Sequence, residues 1–223
     1  MNRRAIIFGI KGYRLNRREK YLLNKIKPWG IILFSRNIKN ILQLKKLTNE
    51  IKKVFKDNKY PILIDQEGGM VSRLNKIIDL RIYSHRYFGN LYNKNKKLFF
   101  NYYKIYNDTI CDLLKKTGIN INTIPVLDVR RSNTHNFLSE RSFSMNAFRV
   151  KKFGNLCINL NKKNKIGTVI KHIPGHGLSK KDSHFETPII RTNKEELYKK
   201  DFLPFKNSKS LFAMTAHVIY FAF

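Results

Sequence analysis

The sequence predicts an α/β fold in which βα units wind a parallel sheet. Three observations point to it. Short apolar runs recur between segments of helical periodicity. Each run ends in a polar or glycine-containing turn, and helix start and stop signals fall between the runs.

Residues 5–8 read as the first strand. A helix follows from Asn16, whose side chain can cap while Glu19 reaches back, and it ends before Pro28. Residues 30–34 form a second strand, followed by a helix after Asn40 with Ile41, Leu44, Leu47, Ile51 and Val54 on one face. Residues 61–64 are the third strand. Leu98, Tyr102, Ile105, Thr109 and Leu113 recur at helical spacing, with Gly118 placed to close that helix before a fourth strand over 121–126. Ala147, Val150, Phe153 and Cys157 mark a helix leading into a strand over 167–170, and a helix over 194–203 precedes a sixth strand over 211–216. In parallel α/β folds the loops at the strand C-termini build the site. Here those loops are Ser35-Arg36-Asn37, the stretch from Asp65 to Gly69, Asp128, Lys171-His172 and His217.

Length and composition bound the function classes. The 223 residues carry no linker, repeat or composition break, so 1–223 is read as one domain. Residues 1–14 have too short an apolar stretch for a signal peptide, and no run approaches the ~18 apolar residues of a membrane span, so a cytoplasmic protein off the membrane is expected. Cys111 and Cys157 sit at apolar positions of helical patterns and read as buried thiols. The net charge of +30 raises nucleic-acid binding, but the lysines are scattered among asparagines and isoleucines with no sustained basic stripe. No specific nucleic-acid partner is expected.

The segment 171–184, KHIPGHGLSKKDSH, holds three of the six histidines on backbone that Pro174, Gly175 and Gly177 keep irregular. Asp182, two residues before His184, can accept the imidazole proton. That fixes the tautomer and favours the charged ring, keeping a general acid available near neutral pH. A solvated loop histidine is the plain alternative. Metal binding by His172, His176, Asp182 and His184 is disfavoured, because the spacing implies no fixed geometry. A second cluster, Asp65-Gln66-Glu67-Gly68-Gly69, offers carboxylates for vicinal sugar hydroxyls and glycines that let backbone approach a ligand; a structural turn or a metal site fits it equally. Arg73, Arg141 and Lys171 are cations in or beside strand-end loops.

The segments GIILFSRN (30–37), ILIDQEGGMVSRL (62–74), IPVLDV (124–129), ERSFS (140–144), KHIPGHG with DSH (171–184) and MTAHVIY (214–220) resemble, in order and spacing, those of bacterial β-N-acetylhexosaminidases of glycoside hydrolase family three. The resemblance implies a (β/α)8 barrel of TIM type that removes β-linked N-acetylglucosamine from muropeptides in peptidoglycan recycling. It implies no metal or organic cofactor, and a monomer is expected. It also implies retention: a carboxylate attacks the anomeric carbon, and His184 held by Asp182 serves as acid/base. Asp65, Arg73, Arg141, Lys171 and His172 would bind the sugar, and His176 would shape the loop.

Two departures stand out. Met70 replaces an arginine common in the family, and no residue matches its nucleophilic aspartate. Six βα units instead of eight read as a C-terminally truncated barrel with little or no turnover. Open strand edges would make it prone to aggregate.

Overall fold

The sheet is wound as the apolar runs require. In the computed structural model, which describes residues 2–179 and 186–223, strands β1 (Arg4–Gly9), β2 (Pro28–Leu33), β3 (Ile62–Ile64), β4 (Ile121–Asn122) and β5 (Gly167–Ile173) lie side by side in chain order. β6 (Ile189–Ile190) pairs outside this sheet with β8 (Ile219–Tyr220), while β7 (Phe212–Thr215) adds to β5 as the sixth strand. Every pairing is parallel.

The sheet is curled. β2 and β7 are four strand spacings apart along the sheet, roughly 19 Å if it were flat, yet the Trp29 and Phe212 rings stand edge-on at 5.2 Å. Leu63, Ile121 and Val169, with Trp29, Ile32 and Met214 against them, fill the concave side. The six strands and their helices match the expected barrel architecture.

Helices cover the convex side. α1 (Arg17–Ile26) opens with the expected capping box between Asn16 and Glu19, and Asn40 caps α2 (Ile41–Phe55). α3 (His85–Lys94) was not foreseen. Its Gly89 lets it lie directly on the Phe143 carbonyl, which a Cβ would meet at 1.8 Å. α4 (Lys96–Lys116) forms where expected, but its buried face is Phe99, Tyr103, Asn107, Ile110 and Leu114; Leu98, Tyr102 and Ile105 point outward. The two stripes lie side by side on the helix, and packing on α3 and α6 selects the first. α5 is the single turn Asn136–Ser139, and α6 (Ala147–Lys163) buries Ala147, Val150, Phe153 and Cys157 as read.

Two other elements are shorter than expected. Beyond Asn122, Pro125 lacks the N–H a ladder needs, and only Val126 rejoins the sheet through a bridge to Lys171. α7 (Lys194–Glu196) continues as a π turn over Leu197–Asp201 and ends before Pro204. Cys111 and Cys157 are buried and unbridged. Among the described residues no helix is long and apolar enough to cross a membrane.

Candidate active site

The strand C-termini bring five of the seven expected site residues together. Asp65 follows β3 directly. The Asn122 side chain, one strand over, accepts from the Gln66 N–H at 3.0 Å and donates to the Gln66 carbonyl at 3.0 Å, fastening the end of β3 to β4. The Gln66 carboxamide oxygen in turn accepts from the Arg73 and Leu74 N–H groups at 2.8 and 3.0 Å, folding Arg73 back over Asp65. Gly68 and Gly69 take positive φ, as such a reversal requires. Their missing side chains make room for protein, not ligand: a Cβ on Gly68 would lie 2.2 Å from the Tyr83 carbonyl, and one on Gly69 2.7 Å from Ser84. The expectation of a glycine approach to ligand is therefore corrected. Met70 is 60% exposed and takes no part.

Charges then run in an unbroken row. The Lys171 ammonium, 2% exposed, lies 3.1 Å from Asp65 Oδ1, 2.6 Å from Glu67 Oε1 and 3.1 Å from the Thr123 hydroxyl, which itself donates to Asp65. Three hydrogens and three oxygens match, so Lys171 is fully engaged within the protein. Arg141 grips Glu67 with two bonds, Nε to Oε2 at 2.8 Å and Nη2 to Oε1 at 2.9 Å. The same Nη2 lies 3.3 Å from His172 Nε2, and His172 Nδ1 lies 2.7 Å from Asp128 Oδ2.

That geometry assigns the His172 tautomer. A guanidinium can only donate, so Nε2 accepts and Nδ1 carries the hydrogen given to Asp128. Asp128 Oδ1 accepts the backbone N–H groups of His172 at 3.2 Å and His176 at 2.8 Å. Both its oxygens are occupied, and it is 1% exposed.

The electrostatics follow from burial set against partners. Burial alone would raise the Asp65 carboxyl, but Lys171 and the Thr123 hydroxyl outweigh it and hold the group below the usual carboxylate range. Glu67 behaves likewise, with Lys171 and Arg141 overcoming complete burial. In Asp128, bonds from His172 and His176 do the same. Asp65 Oδ2 makes no hydrogen bond among the described residues and has Arg73 Nη2 at 3.7 Å, and these two side chains keep 15% and 28% exposure against 2% for Lys171 and Glu67.

Sequence reasoning grouped Glu67 with Asp65 as possible sugar ligands and placed Asp128 at a strand end without naming its partners. Nothing local signals that Glu67 is spent on residues 74 and 104 positions away, or that Thr123 bridges Asp65 and Lys171. His176 donates its backbone N–H to Asp128. His184 and Asp182 lie outside the described residues. Their loop is anchored before it begins: a Cβ on Gly177 would meet the Val129 carbonyl at 1.9 Å, and the Thr134 hydroxyl donates to the Gly177 carbonyl at 2.6 Å. Asp128, His172 and His176 also bring three metal-ligating atoms within 4.8 Å of one another. His172 Nδ1 and both Asp128 oxygens are already engaged in hydrogen bonds there.

Asp201, reached from the π turn, braces this loop from beneath. It pairs with Arg131 at 2.6 Å, and Gly175 passes so close that a Cβ would lie 2.9 Å from the Asp201 Cβ. Burial pushes the Asp201 carboxyl up to about 6 in spite of Arg131. The folded state therefore retains a proton that the unfolded chain releases, and this group's contribution to stability falls as pH rises from about 4 to about 6, by up to ~3 kcal/mol. In urea titrations, the stability of wild type minus that of Asp201→Asn should decline across that window. A difference that stays flat refutes the assignment.

The model of the glycosyl hydrolase family 3 N-terminal domain matches residues 5–223. This chain belongs to that family. A beta-hexosaminidase of Psychromonas ingrahamii is 32% identical, the alignment covering 97% of this chain and 64% of that one. Among solved structures, NagZ from Neisseria gonorrhoeae in complex with N-trifluoroacetyl-D-glucosamine superposes with a TM-score of 0.89 at 30% identity, over 99% of this chain and 65% of that one. A family 3 beta-N-acetylglucosaminidase from Paenibacillus sp. superposes with a TM-score of 0.83 at 27% identity, covering 97% and 41%. The chain thus spans less than two thirds of the length of these family 3 relatives.

Proposed function

We propose that this chain carries the sugar-binding and acid/base half of a retaining β-N-acetylhexosaminidase acting on N-acetylglucosamine-containing peptidoglycan fragments in the cytoplasm, in cell-wall recycling. The observation that carries the reading is the charge row from Asp65 through Lys171, Glu67, Arg141 and His172 to Asp128, set at the strand ends of a domain similar to one solved with an N-acetylglucosamine analogue.

Asp65 Oδ2 and Arg73 face the mouth and contact the sugar hydroxyls, with Arg141 and His172 beside them. Lys171 acts by holding the two carboxylates. His184, oriented by Asp182, protonates the leaving oxygen and later activates water, while a carboxylate nucleophile forms the glycosyl-enzyme. Asp128 is unsuited to that attack, because both oxygens are engaged and buried. Asp65 accepts bonds from Lys171 and Thr123.

The 223-residue chain alone should therefore bind N-acetylglucosamine saturably by calorimetry yet hydrolyse a chromogenic β-N-acetylglucosaminide at a rate near background. Robust turnover abolished by His184→Ala would show that a carboxylate of this chain attacks, with Asp65 the first suspect. A folded sample giving no saturable heat would remove the sugar-binding reading.

A further inference from the structure

Lysines that are scattered along the sequence are gathered by the fold. No acidic residue lies between Asp79 and Asp108, and none lies between Glu140 and Asp182. α4 and α6 begin in these two stretches and pack against each other, with the end of α3 beside them. Side-chain contacts fix the corner where they meet. Arg149 Nη1 donates to Asn93 Oδ1 at 2.7 Å, Lys152 Nζ lies 5.7 Å from the centres of both the Tyr92 and Phe100 rings, and Lys96 Nζ lies 5.8 Å from that of Tyr92. Lys94, Lys97 and Lys151 are within a helical turn of these residues, which makes a patch of six cations. Elsewhere on α4 lysines pair along the helix, Lys104 with Asp108 and Lys116 with Asp112, but among the described residues none of the six has a carboxylate partner. Out of the patch stand Phe148, 71% exposed, and Phe100, 39% exposed.

We propose that this corner is a docking surface for the anionic face of a lipid bilayer. The charge is complementary: clusters of about four to eight Lys and Arg are what anionic headgroups attract. An exposed phenylalanine among lysines is the composition of segments that lie in the headgroup layer with an apolar side chain below it. Attachment of this kind is peripheral and needs no spanning helix. A nucleic acid is the poorer occupant. Single strands are held by bases stacked on successive aromatic rings, and here Tyr92 and Phe100 already carry Lys96, Arg149 and Lys152 over their rings. A protein partner fits less well too, since lysine is depleted from protein interfaces and five of the six cations are lysines. α4 and α6 run back toward the starts of β4 and β5, so their first turns lie at the end of the sheet that carries Asp65, Lys171 and His172. Docking therefore holds that end of the domain beside the membrane.

The test is flotation of the full 223-residue chain with vesicles of phosphatidylcholine alone and of equal parts phosphatidylcholine and phosphatidylglycerol. Binding to the mixed vesicles that weakens with added salt is expected, and none to the neutral ones. Lys96→Glu with Lys97→Glu should weaken it at least tenfold. Acidic residues favour a helix N-terminus, so this pair keeps α4. Lys45→Glu with Lys46→Glu, at exposed positions of α2, makes the same change in net charge and should leave the affinity little altered. Phe148→Ala should weaken binding severalfold. β1 and β7 are also exposed at nearly every position, and Ile7→Ala on β1, at a site 46% exposed, is the apolar control that should not. The idea fails if neutral vesicles bind as well, if the α2 pair acts as strongly as the α4 pair, if Ile7→Ala matches Phe148→Ala, or if single-stranded RNA displaces the mixed vesicles at equal phosphate concentration. No sugar enters the measurement, so its failure is separable from failure of the glycosidase reading.

Discussion

Replacing Lys171 with methionine is expected to destabilise the fold by ~3–5 kcal/mol at neutral pH, because it leaves Asp65 and Glu67 as buried carboxylates short of a counter-charge. Against a typical total of about 5–15 kcal/mol that is a severe loss. Methionine keeps the apolar stem, so the change isolates the ammonium. The pH dependence has a definite sign. Both carboxyls are held below their usual range in the folded protein, so the stability they contribute is present at neutral pH and disappears as acid protonates them. The penalty of Lys171→Met should accordingly be largest near pH 7 and shrink below about pH 4. Adding Asp65→Asn should recover part of it, since that carboxylate is left with the Thr123 hydroxyl and Arg73 at 3.7 Å while Glu67 still has Arg141. Urea unfolding of wild type and the two variants checks this, and a Lys171→Met protein within ~1 kcal/mol of wild type would contradict the account.

The second large effect concerns Asp128. In Asp128→Asn one carboxylate oxygen becomes an amide donor. If the remaining oxygen keeps the two backbone N–H groups, the donor faces His172 Nδ1 and drives the ring hydrogen to Nε2, where it meets the Arg141 guanidinium. Two donors then point at each other, and one side must withdraw. We expect N-acetylglucosamine binding to weaken at least tenfold, with nitrogen-15 spectra showing the hydrogen on His172 Nδ1 in wild type and displaced in the variant. A wild-type ring protonated on Nε2 alone would overturn the tautomer assignment whatever the binding result.

What the sequence made legible was whatever is local. The capping box at Asn16 and Glu19, the apolar runs and the polar turns after them are written within a few residues, and all of them formed. The strand-end rule then delivered Asp65, Arg73, Arg141, Lys171 and His172 to one place. The offset face of α4 was not legible, because Leu98 and Phe99 are both strongly apolar and only the helices packed on α4 choose between the two stripes. Nor was the division of labour in the site. Asp65 and Glu67 are two residues apart and chemically alike; one keeps an oxygen toward the mouth while the other is consumed by Arg141 and Lys171, a difference set by side chains 74 and 104 positions downstream. Arg131 with Asp201 is the same case, since residues 70 apart offer no pattern to read.

The exposed edges of β1 and β7 give the unusual charge a second meaning. At net +30, like-charge repulsion opposes the approach of a second copy, and its range is set by the surrounding electrolyte: about 30 Å at 0.01 M and about 8 Å at 0.15 M. The lysine-rich surface therefore acts as a colloidal guard whose strength depends on ionic conditions. Added salt lowers that guard while leaving the apolar edges as adhesive as before.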